Sequence, residues 1–273
     1  MASERNLVLR LATAAVGVPV ILALIFVAPP WGFYLLVLAA SLVGASELFA
    51  MTHAGDRFAQ VVGVLVSAAA SLAVYLFPQD ARVLATVLFA VPAFGPLFTL
   101  VRLGAIETAA LRVCAMGFGP LFVAVPLTLL AVMRRMWPDA GSGYVTLSLG
   151  LAWLADTGAY FAGRFLGRHK LYEAVSPKKT VEGAIGGLLS SVLWAVLGSL
   201  WFLRGTLPLV HAVPLALVAG ALGQAGDLGE SLLKRSTGVK DSGSIVPGHG
   251  GILDRVDAVI MTTIVVFLYA LWH

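Results

Sequence analysis

The sequence predicts an all-α polytopic membrane protein of about nine transmembrane helices, with the N-terminus in the cytoplasm. Three observations carry that prediction. Hydrophobic residues make up 59% of the 273 and charged residues only 12%, where a soluble domain is about a quarter charged. The mean hydropathy of +0.94 comes from apolar runs of roughly twenty residues, the length a helix needs to cross a bilayer. These runs lack period-2 alternation, so helices rather than a closed barrel satisfy the backbone in lipid.

Taken in order, the expected spans are 7–28, 31–52, 58–77, 81–102, 109–133, 143–163, 181–203, 208–233 and 253–272. Arg5 and Arg10 precede an apolar stretch too long for a leader, and no small-residue cleavage site follows. The stretch therefore reads as a first span. The breaks carry turn chemistry at Pro29-Pro30, His53 to Arg57, Pro78-Gln79-Asp80, and Pro138-Asp139 through Gly143. The lone Cys114 has no partner for a disulfide and is expected to pack among apolar neighbours. Glu47 is the main polar group of the first half and suits an interhelical hydrogen bond or a dimer contact equally.

Nine spans place the termini on opposite sides, and the basic residues choose which. With the N-terminus inside, fourteen of the 18 Lys and Arg are cytoplasmic, and only Arg82, Arg134, Arg135 and Arg204 are outside. The net charge of +4 is thus a topology signal, and no nucleic-acid partner is called for. The same assignment puts two polar loops, 164–180 and 234–252, on the cytoplasmic face. Residues 1–142 read as a scaffold region and 143–273 as a catalytic region. No internal repeat is visible, which argues against an inverted-repeat transporter.

Charge concentrates between Gly223 and Asp257. That stretch holds Asp227, Glu230, Asp241, Asp254 and Asp257 with Lys234, Arg235, Lys240 and Arg255. Asp227, Glu230, Ser231 and Lys234 share one helical face, and Asp254 and Asp257 share another at the start of the last span. Ionisable groups near membrane depth mark a site or an ion path more often than a structural pair. Clustered carboxylates repel unless a cation lies between them, and hard oxygens favour Mg²⁺.

The glycine-rich stretch Val246-Pro247-Gly248-His249-Gly250-Gly251 enters the last span, and its glycines admit a phosphate close to backbone. His249 has three open roles: binding phosphate, acting as an acid, or bracing the turn. In Ser176-Pro177-Lys178-Lys179-Thr180, Thr180 is placed to N-cap the next helix, with Glu182 in its first turn. The two lysines suit nucleotide phosphates, anionic lipid headgroups or topology alone. Asp156, about twenty ångströms into its span, is a further functional candidate. Gly220, Gly223, Gly226 and Gly229 recur every third residue and read as a packing seam.

Ser231 to Arg235, Lys240-Asp241-Ser242-Gly243, and Pro247 through Asp257 together resemble the signature of the phosphatidate cytidylyltransferases, the CDP-diacylglycerol synthases. Val246 departs from the family pattern, which carries Ile, Leu or Phe there. Asp156 to Tyr160 and Ser176 to Thr180 are also similar to family segments, so the resemblance covers about the last 120 residues. It implies transfer of a cytidylyl group from CTP to phosphatidate, divalent-metal dependence, Asp227 and Asp254 as leading ligands, and a homodimer.

With that resemblance, the expected catalytic set is Asp227, Asp254, Lys234 and Asp257, with Asp257 supporting Asp227 and Asp254 at the metal. Mg²⁺ is the expected ion, with Mn²⁺ and a second cation left open. Ser176, Lys178, Lys179, Thr180, Arg235, Lys240, Asp241, His249, Gly250, Gly251, Arg255 and Asp156 are the expected substrate contacts. Two other classes stay open from sequence: a CTP-dependent polyprenol kinase and a transporter.

Overall fold

A computed structural model describes residues 17–243, 245 and 250–273. His249 and the first part of the expected first span, with Arg5 and Arg10, lie outside the described residues. Chain contacts divide the fold into two compact units, Met1–Val132 with Asp241–Arg255, and Met133–Lys240 with Val256–His273.

In the first unit, a helix described over Gly17–Phe26 (α1) is followed by α2 (Pro30–Thr52), α3 (Arg57–Leu76) and α4 (Ala81–Val101). Pro30 occupies the first turn of α2, where its missing N–H costs nothing. Asp56 caps α3 by accepting from the Ala59 amide at 3.0 Å, and Asp80 caps α4 by accepting from the Arg82 amide at 2.9 Å. α5 (Ala109–Gly119) and α6 (Val125–Met136) are joined by a wide turn opening on Pro120, the last four residues of α6 belonging to the other unit. The stretch Ile106–Met136 therefore counts as one apolar span. Ala45, Phe49, Ala59, Ala115 and Met116 form a packed core.

In the second unit, α7 (Gly141–Leu166) leads through a short antiparallel hairpin, β1 (Lys170–Tyr172) and β2 (Ser176–Thr180), into α8 (Val181–Leu200). α9 (Leu209–Ser236) and α10 (Leu253–Trp272) follow, the first three residues of α10 belonging to the other unit. α7 and α8 meet on glycines: a Cβ on Gly183 would sit 2.9 Å from the Ala159 carbonyl, and one on Gly158 2.8 Å from that of Gly186. Thr180 caps α8 as expected, accepting from the Gly183 amide at 3.1 Å.

Among the described residues the protein is helical apart from that hairpin, and seven helices are long and apolar enough to cross a membrane. Nine spans were expected. The first lies partly outside the described residues, and α7, although 26 residues long, is less apolar than the seven. Cys114 is exposed on α5 rather than packed, as is Phe118 one turn on. A face meeting lipid is as apolar as a core, so composition does not separate the two. The glycine seam on α9 holds in part. Gly220 meets Ser191, and Gly223 and Gly226 meet α10, whereas Gly229 has nothing within 4 Å.

Candidate active site

The second unit carries a cleft of about 350 Å³ lined by α7, the hairpin, the start of α8 and α9. Its size lies within the range of small-ligand pockets. Of the expected residues, Asp156, Lys178, Lys179, Thr180 and Asp227 line it. Ser176 pairs with Tyr172 in the hairpin and is not among the lining residues. Lys179 Nζ and Asp227 Oδ2 form an ion pair at 2.5 Å, each side chain about a quarter exposed (26% and 29%). That partial exposure leaves both groups within reach of a ligand entering the cleft.

The hairpin is held in place by Glu182, in the first turn of α8. Its carboxylate accepts from the amides of Arg168 at 3.0 Å and His169 at 3.2 Å, and pairs with His169 Nδ1 at 2.6 Å. The lysines of β2 are thus carried on a strand anchored at the N-terminus of α8.

Beside the cleft, the face of α9 expected from sequence is real. Glu230, Ser231 and Lys234 are buried on it, with Glu230 2% exposed and ion-paired to Lys234. Asp257 on α10 is also buried, and the acids acting on it electrostatically are Asp227, Glu230 and Asp156. Four carboxyl groups therefore gather in one unit with two ammonium groups, Lys179 and Lys234, paired against them. That excess of acid is one a divalent cation would offset. Among the described residues no three His, Cys, Asp or Glu side chains form a ready-made metal cage. Magnesium suits such a place, because it is bound through one or two carboxylates and completes its shell with water and phosphate oxygens. The donor set fits.

Among the lining residues absent from the expected set, three carry polar side chains: Tyr160, Arg164 and Gln224. Arg164 donates to the Tyr160 hydroxyl at 2.8 Å, and Gln224 donates to the Ala184 carbonyl at 3.0 Å. A signal existed: Asp156, Tyr160 and Arg164 stand at i, i+4 and i+8 on one stripe of α7. Arg235 is exposed and donates to the Val239 carbonyl at 3.2 Å. Lys240, Asp241 and Arg255 are exposed outside the cleft lining.

The other expected group lies in the first unit. Asp254 Oδ2 accepts from the Ser242 amide at 3.0 Å, the Ser242 hydroxyl at 2.9 Å and the Gly251 amide at 2.8 Å. Gly250 has φ +82°, a left-handed conformation suited to glycine, and a Cβ there would lie 2.8 Å from the same carboxylate oxygen. Gly250 thus makes room for Asp254, and Gly251 for Ser242 and Glu47. Glu47 of α2, 4% exposed, accepts from the Ile252 amide at 3.0 Å, the Leu253 amide at 2.8 Å and the Ser242 hydroxyl at 3.1 Å. Of the two roles open for Glu47, its side chain makes the hydrogen bonds within the chain.

The chain that carries this cleft and the buried carboxyl groups is matched almost from end to end by a family model. The cytidylyltransferase model matches residues 8–272. The chain belongs to the cytidylyltransferase family. Among similar proteins, a phosphatidate cytidylyltransferase of Synechocystis sp. is 40% identical over 153 residues, 53% of this chain and 52% of that protein. Phosphatidate cytidylyltransferases of Staphylococcus haemolyticus and Staphylococcus aureus are each 47% identical over 118 residues, 43% of this chain and 45% of theirs. The chain spans about half the length of the curated relatives it matches.

Proposed function

We propose that the protein transfers a cytidylyl group from CTP to phosphatidate, giving CDP-diacylglycerol and pyrophosphate in phospholipid biosynthesis. The observation that carries this reading is the cleft in which Lys179 and Asp227 pair, in a chain whose family and curated relatives are cytidylyltransferases. A phosphatidate phosphate oxygen attacks the α-phosphorus of CTP. The bond from that phosphorus to the oxygen bridging the β-phosphorus breaks, and the electron pair leaves with pyrophosphate. The substrate phosphate is already a nucleophile, so positioning and charge neutralisation are the protein's tasks.

Lys179 serves the nucleotide phosphates, exchanging the Asp227 carboxylate for a phosphate oxygen as CTP enters. Lys178, Thr180 and Arg164 line the same cleft, and the Tyr160 ring offers a face for the base. Mg²⁺ is the proposed ion, and Asp227 and Asp257 are the ligands that the acid group supports. Asp254 joins this assignment on the sequence signature alone. Bound there, the ion would neutralise charge on the phosphates and on departing pyrophosphate. Lys234 is buried against Glu230 and sets the charge of that face. Arg235 and Lys240 remain proposed phosphate contacts, and Asp241 and Arg255 proposed substrate contacts.

The basic-residue asymmetry supports nine spans with the N-terminus and the hairpin in the cytoplasm, where CTP is found. Residues 1–142 are the proposed scaffold region, 143–273 the proposed catalytic region, and a homodimer the proposed assembly. The experiment is to incubate purified protein with labelled CTP, Mg²⁺ and phosphatidate, following CDP-diacylglycerol and pyrophosphate. Stoichiometric formation of both is expected. CDP release with a polyprenol, and no product with phosphatidate, would instead make the protein a lipid kinase.

A further inference from the structure

Glu47 stands 195 residues before Ser242 and 206 before Leu253, and its carboxylate touches both. A carboxyl group buried to 4% exposure is costly unless its oxygens find donors. Here both do. Oε1 accepts from the Ile252 amide, and Oε2 from the Leu253 amide and the Ser242 hydroxyl. Leu253 is the first residue of α10, so the accepted amides belong to the backbone entering that helix, where N–H groups lack helical partners.

The surrounding backbone is shaped to this carboxylate. A Cβ on Gly243 would collide with Glu47, whose atoms are its three nearest neighbours, and one on Gly251 would collide with Glu47 and Ser242. The Ser242 hydroxyl lies 3.1 Å from the Glu47 carboxylate and 2.9 Å from that of Asp254, and its single proton is divided between them. Glu47 and Asp254 therefore share a donor, and any shift of one moves the other.

We propose that Glu47 is a positioning residue for the transfer reaction, a brace from α2 that fixes the entry of α10 and thereby the direction of Asp254. This rests on the cytidylyltransfer reading for its catalytic part and on the hydrogen bonds alone for its structural part. The brace acts through the loop, not on substrate. Its loss lowers turnover more than nucleotide affinity, because a displaced group near 1 Å out of place costs about 100-fold in rate.

The test uses full-length protein in lipid nanodiscs as wild type, Glu47→Ala, Glu47→Gln, Gly243→Ala and the Glu47→Ala/Gly243→Ala double variant. Amide hydrogen exchange at Ile252 and Leu253 is expected to rise about tenfold or more in Glu47→Ala, as their acceptor is removed. Exchange in the middle of α3 stays unchanged. kcat for CDP-diacylglycerol formation is expected to fall about 100-fold with KM for CTP within about threefold. Glu47→Gln, which keeps the volume and one acceptor oxygen, falls between.

Gly243→Ala alone is expected to be impaired, because its methyl group meets the Glu47 carboxylate. With that carboxylate gone the methyl group has room, so the double variant matches Glu47→Ala within about twofold, a non-additive cycle. Unchanged exchange at Ile252 and Leu253 overturns the brace. Accelerated exchange with kcat within about threefold of wild type, or losses that multiply in the double variant, overturns the positioning role. If wild type forms no CDP-diacylglycerol, the functional reading fails, and exchange alone decides the brace.

Discussion

The two lysines of β2 adjoin in sequence but differ in setting, and that difference predicts unequal effects on catalysis. Lys178 is exposed, whereas Lys179 is half-buried against Asp227 at 2.5 Å. A charge-assisted hydrogen bond in a sheltered site contributes about 1.5–3 kcal/mol. At 1.36 kcal/mol per decade, Lys179→Ala should lower kcat/KM for CTP about 10- to 150-fold. An exposed ion contact contributes about 0.2–1 kcal/mol, so Lys178→Ala should cost no more than about fivefold. Lys179→Arg keeps the charge and should recover part of the loss, although its planar fork fits a lysine position poorly. The assay is initial-rate formation of CDP-diacylglycerol in mixed micelles, varying CTP at saturating phosphatidate. Equal losses in the two alanine variants, or a Lys179→Ala effect confined to phosphatidate dependence, would refute the assignment of Lys179 to the nucleotide.

Gly226→Ala places a methyl group 2.8 Å from the Asp257 carbonyl and 2.7 Å from Met261 Cγ, and a backbone carbonyl in a helix has little room to yield. Turnover should fall about tenfold or more as α10 shifts, while Gly229→Ala, with nothing within 4 Å, leaves it unchanged. Lys234→Met leaves buried Glu230 without its cation and should cost about 3–5 kcal/mol in stability, read as loss of folded protein. Adding Glu230→Gln should restore the folded yield, and any activity deficit that persists measures a role of Lys234 at substrate. Burial, reinforced by the Arg112 charge and opposed by Asp56, lowers the pKa of His53. The unfolded chain takes up that proton near pH 6.5, so its contribution to stability is full above that pH and is lost as the pH falls from there toward the folded value. Melting curves at pH 8 and pH 5.5 should show this loss in wild type and a smaller one in His53→Phe.

Local rules recovered much of the fold. Pro29-Pro30, Asp56 and Asp80 end or cap helices where the sequence places the breaks, and Thr180 caps α8 through a bond only three residues long. The acidic face of α9 was legible for the same reason, since Asp227, Glu230 and Lys234 are related by helical period. What escaped depends on groups distant in sequence. No local pattern reports that Glu47 reaches Leu253, 206 residues on. The Lys179–Asp227 pair joins a hairpin to a helix across 48 positions, from 179 to 227. Cys114 and Gly229 escaped because lipid removes the contrast between inside and outside, leaving an apolar or small residue the same in either place. The α7 stripe of Asp156, Tyr160 and Arg164 was readable by period, but it was hidden by the hydropathy of the segment around it.

The two lysine–acid pairs of the second unit have the same chemistry and different consequences. Lys234 and Glu230 are both buried, so separating them strands a charge, and the pair behaves as one fixed element of the α9 face. Lys179 and Asp227 keep about a quarter of each side chain exposed, so water or a phosphate can replace either partner at low cost. The proposed transfer, in which the substrate brings its own nucleophile, calls for this division. In the proposed reaction, fixed charges would set the field in which pyrophosphate leaves, and an exchangeable pair would admit the nucleotide. The pair that can open is the one lining the cleft, and the hairpin carrying its lysine is anchored by Glu182 at the N-terminus of α8. On the proposed reading a phosphate competes for an ammonium group already held near its place, so that binding would order little beyond the side chain itself.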